Sequence, residues 1–303
     1  MAEHILLTGG TGVIGNALIQ KWSEQGHRIR ILSRSMIQPS TSQLEWSHWD
    51  PASKTLDPRA LKNITAVVHL AGAPVAQRWT ASRRREILSS RLDGAQVILD
   101  AIAQQPVSER PSTFISASAI GLYPSSDSVQ TENGSTDGSF IGSVVEQWEA
   151  AADRFESLNM RVVKIRIGLV LSKQGGFVAR MRPIFNLGMG SALGTGQQWQ
   201  SWIHLDDLAR IFDLALTNDS MTGPINGVSP HPVRNEEMGR TLARALHRPF
   251  FAPRVPEWLL NIAFGQMSTI MLQSHRIEPS VLIQHHFEFQ YPTIDLAWKE
   301  LFS

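Results

Sequence analysis

Short apolar runs alternate with longer amphipathic stretches through the first half of the chain. Residues 5–8, 28–33, 44–49, 66–70, 113–116 and 161–171 are rich in Val, Ile and Leu and have strand length. The run at 66–70 is apolar but for His69, as suits a strand buried on both faces. Between these runs, residues 13–25 and 81–104 read as helices. In the second, Ile87, Leu88, Leu92, Ala95, Ile98, Leu99 and Ile102 recur at helical spacing. Gly26 stands where the first helix needs a left-handed cap. A third helix places Val144, Val145, Trp148, Ala151, Ala152 and Phe155 on one face. Strand–helix alternation of this kind predicts an α/β fold with a six-stranded, doubly wound parallel sheet.

The pattern changes after Ser172. Glycines at 175, 176, 188, 190, 194 and 196 mark an irregular stretch. A helix beginning near Asp206 and a short strand near 224–227 are expected to return to the first domain. Residues 229–303, with prolines at 230, 232, 249, 253, 256, 279 and 292, read as a smaller mixed lobe. The expected division is therefore 1–171 with 204–228 as one domain, and 172–203 with 229–303 as a substrate-bearing lobe packed on it.

Composition narrows the functions available. The chain has 303 residues, 42% hydrophobic and 18% charged, with a formal net charge of +1. Such a balance supplies no global field for nucleic acid or an anionic membrane, so neither is expected as a partner. There is no cysteine, which excludes disulfides, thiolate chemistry and Cys-based zinc sites. Ile5-Leu6-Leu7 is too short for a signal sequence, and no stretch approaches the roughly 20 apolar residues of a membrane span. The cytosol is the expected compartment.

The chemistry begins at Gly9-Gly10-Thr11-Gly12-Val13-Ile14-Gly15, which follows the first strand and opens the first helix. Glycines there let the backbone approach a pyrophosphate, whose charge meets the free N–H groups of the helix N-terminus. This context predicts a Rossmann dinucleotide site. The base of the second strand selects the cofactor. An NAD site usually carries Asp or Glu there for the ribose 2′-hydroxyl. This chain has Ser33-Arg34, nineteen residues after Gly15, and no acid from 29 to 43. A guanidinium grips a 2′-phosphate where a carboxylate would repel it, so NADP is the expected cofactor.

With the glycine loop, Ser33-Arg34 and His69-Leu70-Ala71-Gly72, the chain resembles the extended short-chain dehydrogenase/reductases. More narrowly, it is similar to their atypical "epimerase family" branch, typified by the YfcH proteins. Trp49-Asp50-Pro51, Ser90-Arg91, Trp148-Glu149-Ala150-Ala151, Arg166-Ile167-Gly168 and Ser201-Trp202-Ile203-His204 carry that likeness. So do Gly194-x-Gly196-x-Gln198, Asn226-Gly227-Val228 and Gln273-x-x-Arg276-x-x-Pro279. The resemblance implies that Leu70 and Ala71 line the nicotinamide side, with Val170 nearby, and that Gly72 binds the cofactor. It also implies that Glu86 and Arg91 reach the cofactor. It points to a small-molecule substrate, a nucleotide sugar or another carbinol or carbonyl compound.

Enzymes of this class use a Ser or Thr with a Tyr-x-x-x-Lys pair, in which the ammonium lowers the phenol pKa for acid–base work. Ser118 matches the serine. Phe140 and Val144 stand where Tyr and Lys are expected. The only tyrosines are Tyr123 and Tyr291, and four residues beyond them lie Asp127 and Asp295, so no Tyr-x-x-x-Lys exists in the chain. Three accounts follow. Tyr123, His204 or a bound water moves the proton; or the hydride step needs no protein acid of normal strength; or the chain binds NADP(H) without turnover, as a sensor or regulator acting through another protein, for example in cell division. His204 just precedes a helix, where a structural hydrogen-bonded role competes with a catalytic one. No metal site is expected, because the other histidines, His285 and His286 among them, have no carboxylate at ligand spacing. Arg180, Arg182 and Gln198 are candidates for holding an anionic substrate, and Trp199 and Trp202 for core between the lobes.

Overall fold

The computed structural model describes residues 2–35 and 41–303. The first half runs β1 (His4–Thr8), α1 (Val13–Glu24), β2 (Arg28–Ser33), β3 (Leu44–Asp50), β4 (Thr55–Leu56), β5 (Ala66–His69), α2 (Ala81–Ala103), β6 (Thr113–Ala119), β7 (Ser126–Gln130), α3 (Phe140–Asp153) and β8 (Arg161–Ile167). The second half adds β9 (Leu169–Leu171), α4 (Gly176–Asn186), β10 (Trp199–Gln200), β11 (Trp202–His204), α5 (Leu205–Thr217), β12 (Gly223–Gly227), β13 (Val233–Arg234), α6 (Asn235–Ala245), α7 (Glu257–Phe264), α8 (Ser268–Leu272), β14 (His275–Ile277), α9 (Ser280–Gln284) and α10 (Ile294–Phe302).

One large sheet has the order β12-β8-β6-β5-β1-β2-β3-β4, parallel except for β4 against β3. The strand order reverses between β1 and β5, and the crevice at their carboxyl ends is the switch point where doubly wound sheets bind ligands. Successive side chains of each central strand enter opposite cores. Ile5 and Leu7 join Ile29, Ile31, Val68 and Ile165 under α1 and α5, packed on Leu18, Trp22, Leu208 and Phe212. Leu6, Val67, Phe114 and Val162 face the other way, onto Ile98, Ile102, Ala152 and Phe155 of α2, α3 and the turn after α3. A third core, built on Leu171, Phe185, Trp202, Met238, Leu242 and Trp298, gathers α4, α6 and α10.

The sheet has eight strands: the strand expected near 224–227 joins the six at one edge as β12, and the antiparallel β4, which the sequence pattern does not predict, adds the other edge. The strand expected over 161–171 ends at Ile167. A Cβ on Gly168 would lie 2.6 Å from the Ser201 carbonyl oxygen, so the backbones touch there and the chain bends. Leu169–Leu171 then leaves the main sheet and pairs in parallel with Trp202–His204. The Gly26 cap forms as expected, with φ at +83°. Among the described residues, no helix is long and apolar enough to cross a membrane.

Candidate functional site

The glycine loop is fixed by close backbone approaches at Gly9 and Gly15. Gly9 has φ +70°, and a Cβ there would sit 3.0 Å from the Leu70 carbonyl carbon and 3.1 Å from the Ala71 nitrogen. A Cβ on Gly15 would lie 2.4 Å from the Gly9 oxygen and 2.6 Å from the Gly10 Cα. Gly12 caps α1 with no side chain, and the first turn of α1 carries no acidic residue. The positive end of the helix therefore faces solvent without a counter-charge. Val13 is half-buried and packs closely against Gly175, and Ile14 packs on the α1–α5 core.

The loop forms one wall of a cleft of about 810 Å³ lined by residues 9–12, 32–35, 48–52 and 70–74, with Glu86, Ser89, Ser90 and Asp93. Gly9, Thr11, Gly12, Ser33, Arg34, Leu70, Ala71, Gly72 and Glu86, singled out from the sequence, thus share one cavity. Arg34 is exposed at its rim and has no ion-pair partner among the described residues. Residues 36–40 of the acid-free stretch lie outside the described residues. Asp50 stands across the rim. Its carboxyl is held below the usual range first by the Ser53 hydroxyl, then by the Ala52 N–H, with Arg34 contributing. Glu86 accepts a hydrogen bond from Arg83 at 2.7 Å.

Val170 and Arg91 lie outside this lining. Val170 sits in β9, half-buried and paired with Ile203. Arg91 lies beneath the cleft floor, against Gly72, buried over the Trp148 ring at 4.8 Å. It donates to the Ile87 carbonyl at 2.7 Å and the Ala73 carbonyl at 3.3 Å, and burial lowers its pKa to about 10. Ser90 accepts from the Ala73 N–H at 2.9 Å, so the Ser90-Arg91 pair supports the 72–74 backbone from both sides. His48, Asp50, Ser89 and Asp93 are cleft residues that the sequence reading left without a role. The Trp49-Asp50-Pro51 and Ser90-Arg91 motifs were the signal that could have placed them.

One buried hydroxyl joins the cofactor loop to the opposite wall. Thr8 Oγ1 accepts from the Leu70 and Ala71 N–H groups, both at 3.1 Å, so its own proton goes to His69 Nδ1 at 2.9 Å. His69 is fully buried, and desolvation lowers its pKa to about 4. His275, in β14, is lowered to about 4 for the same reason. Both imidazoles stay neutral in the folded chain at pH values where the unfolded chain protonates them, below about 6.5. Their contribution is intact above pH 6.5 and is lost as pH falls towards 4, at up to roughly 1.4 kcal/mol per pH unit for each. Urea unfolding at pH 7 and pH 5 is expected to show a loss on the order of 2–4 kcal/mol. His69→Asn should remove about half of that slope.

The candidate catalytic side chains lie in buried networks. Ser118 Oγ, at the end of β6, donates to Glu149 Oε1 at 2.6 Å. Glu149 is clamped by Arg166 through Nε and Nη2, each at 2.8 Å. Arg166 Nη1 also donates to the Tyr123 hydroxyl and the Glu132 carbonyl, both at 2.8 Å. The Tyr123 hydroxyl in turn donates to Asn226 Oδ1 at 2.6 Å. All of these residues are at least nine-tenths buried. Burial pushes the Tyr123 pKa up, against the pull of Arg166. Burial alone would lower the Arg166 pKa, but the Glu149 carboxylate holds it above its ordinary value. His204 caps α5, with Nδ1 accepting from the Asp206 N–H at 3.2 Å and Nε2 3.0 Å from Glu300. Phe140 packs edge-on to Trp79 at 5.1 Å with the Arg84 guanidinium above it, and Val144 is buried.

Of the remaining candidates, Arg180 donates to the Ala76 carbonyl at 3.3 Å, and Arg182 lies 5.9 Å from the Phe302 ring. Gln198 is buried and donates to the Leu193 carbonyl. Trp202 is buried in the third core, whereas the Trp199 ring meets the guanidinium groups of Arg234 and Arg276, at 4.1 and 4.9 Å. Among the described residues, no three His, Asp or Glu side chains gather as metal ligands would.

Residues 5–226, which include the whole cofactor cleft, match the model of the NAD dependent epimerase/dehydratase family. The chain belongs to that family. Residues 255–301 match a second model, described as a domain of unknown function. The epimerase family protein SDR39U1 homolog, chloroplastic, of Arabidopsis thaliana is 37% identical, over 98% of this chain and 86% of the relative. The crystal structure of human epimerase family protein SDR39U1 (isoform 2) with NADPH superposes with a TM-score of 0.86 at 31% identity, covering 98% of each chain. The UDP-glucose 4-epimerase of Thermus thermophilus in complex with NAD has a TM-score of 0.75 at 17% identity, with 98% of each chain covered, a likeness of fold. The YfcH-like epimerase branch read from the motifs and the doubly wound fold with its smaller lobe both stand.

Proposed function

We propose that this member of the family is an NADP(H)-dependent, epimerase-like oxidoreductase acting on a nucleotide sugar or another carbinol or carbonyl compound in the cytosol. The observation that carries the reading is Arg34, an exposed cation with no ion-pair partner among the described residues, on the rim of the glycine-loop cleft. The Gly9–Gly15 backbone and the N-terminus of α1 receive the pyrophosphate, and Ser33 and Arg34 receive the 2′-phosphate. Leu70, Ala71, Gly72 and Val170 flank the nicotinamide, while Glu86 and Arg91 fix the walls around it. Bound NADP(H) supplies the hydride. The substrate carbon is held near Ser118, between the domain of residues 1–171 with 204–228 and the lobe of 172–203 with 229–303. The NADPH in the human relative's structure supports the cofactor, and the sugar-nucleotide epimerases of the same fold support the substrate class.

A second reading rests on a specific observation. Ser118 and Tyr123 are tied to buried hydrogen-bond partners, His204 is itself buried and held at a helix cap and by the half-buried Glu300, and no Tyr-Lys pair replaces them. An NADP(H)-binding regulator that works through a protein partner needs no free acid or base.

Calorimetric titration tests the cofactor assignment. NADPH is expected to bind tighter than NADH by about 100-fold, the worth of a charge-assisted bidentate contact, and Arg34→Ala should erase most of that preference. Equal affinities for the two cofactors would sink the Arg34 assignment. Turnover of an NADPH-saturated sample against a panel of sugar nucleotides and carbonyl compounds then separates the readings. Oxidation or epimerisation supports the enzyme, whereas a partner retained only with NADPH and no turnover supports the regulator.

A further inference from the structure

Thirteen large apolar side chains stand well exposed among the described residues, and nine of them fall within residues 184–189 and 251–270. Ile184 stands on α4 and Leu187 at its C-terminal cap, with Met189 just beyond. Phe251 is 79% exposed in the segment before α7. On α7 itself, Trp258 and Ile262 are 63% and 65% exposed, and Leu259 lies beside them. Leu260 is the only buried residue of α7. An apolar helix belongs in a core or against an apolar phase, and this one has only a single side chain inside.

The two stretches form one surface. A Cβ on Gly188 would touch the Pro249 ring at 3.7 Å. The Ser191 hydroxyl donates to the Pro253 carbonyl, and Leu193 bridges to Val255 with hydrogen bonds on both sides of it. The chain therefore runs 188–194 beside 249–255 and leads directly into α7. Soluble monomers seldom expose a contiguous apolar area of this extent unless something covers it.

Charge identifies the cover. Residues 176–189 and 247–272 contain four arginines, Arg180, Arg182, Arg248 and Arg254, against one carboxylate, Glu257. Arg254 pairs with Glu236, which also takes Arg240, so that cluster stays positive. Arg248, three residues from Phe251, has no ion-pair partner among the described residues. We propose that this face docks peripherally on an anionic lipid surface, with Phe251, Trp258 and Ile262 entering the headgroup boundary and the arginines meeting lipid phosphates. Aromatic and aliphatic side chains rimmed by arginine are the composition of interfacial anchors. A second copy of the chain fits less well, since a two-fold contact would set like-charged arginines against each other. The whole-chain charge of +1, which led the sequence reading to expect no membrane partner, hides this surface by averaging it with the acidic remainder. The anchor lies on the surface, because eight residues of α7 cannot span a bilayer.

Co-sedimentation of the full chain with vesicles tests the proposal, using phosphatidylcholine alone and phosphatidylcholine mixed with phosphatidylglycerol. The protein is expected to pellet with the anionic vesicles, to be released by added salt, and to remain in solution with the neutral ones. Phe251→Glu with Ile262→Glu should weaken partitioning at least about tenfold, with thermal midpoint and NADPH affinity unchanged because both side chains are already in water. The proposal is overturned by a protein that ignores anionic vesicles, by equal binding to neutral ones, or by a double variant that pellets like the parent. Sedimentation velocity showing a dimer that the double variant dissolves would assign the face to a second copy instead.

Discussion

Gly15→Ala is expected to raise the NADPH dissociation constant on the order of 100-fold and to destabilise the fold by about 1–3 kcal/mol. The added methyl would lie 2.4 Å from the Gly9 oxygen and 2.9 Å from the Gly10 carbonyl carbon, all of it backbone that no rotamer change can move. Relief requires the loop to open away from α1, which moves the N–H groups that receive the pyrophosphate. Gly12→Ala separates ligand from scaffold, because a Cβ at 12 meets only the Gly9 oxygen, at 3.3 Å. It should leave the melting temperature nearly unchanged while its methyl intrudes into the cleft, so that affinity falls alone. Calorimetry and thermal melts on both variants check the pair. Unaltered NADPH binding by Gly15→Ala would remove the glycine loop from the cofactor site.

That contrast shows what the sequence made legible. Strand and helix periods are local, and the spacing of Gly9, Gly12 and Gly15 between a strand and a helix encodes a backbone shape that few other functions need. The loop, Ser33-Arg34 and the 70–72 wall were therefore readable, and they share one cleft. Gly168 was not readable as the end of a strand. Its reason is a carbonyl of Ser201, thirty-three residues on, which no local pattern contains. Arg91 was expected at the cofactor, whereas its guanidinium lies under Gly72. A helix face gives direction but not depth, and the Trp148 ring that draws it down comes from α3. The apolar face of α7 was likewise invisible, because an apolar helical stretch reads the same whether the fold covers it or leaves it bare.

The Ser118–Glu149–Arg166 network was the least legible part, since its members come from three elements and the sequence reading gave neither Glu149 nor Arg166 a role. It also makes the clearest prediction about the missing dyad. Glu149→Ala leaves the Arg166 guanidinium buried without its carboxylate, and loss of one partner of a buried pair costs about 3–5 kcal/mol. Urea unfolding should show that full loss. Glu149→Gln, which keeps one hydrogen bond but no charge, should show an intermediate one. Replacing both partners, as in Glu149→Leu with Arg166→Met, is expected to recover part of the stability, because the desolvated charge goes with its counter-charge. Recovery stays incomplete, since the Tyr123 hydroxyl and the Glu132 carbonyl lose the donor that Arg166 gave them. Ser118→Ala removes only the hydroxyl at the end of this chain of bonds, at about 1 kcal/mol. That variant decides whether Ser118 works on the substrate or only holds Glu149. If Ser118 leaves Glu149 to meet a substrate oxygen, turnover falls far more than stability does. If Ser118 serves only to satisfy Glu149, NADPH binding and any turnover stay at parental values while the unfolding midpoint alone shifts.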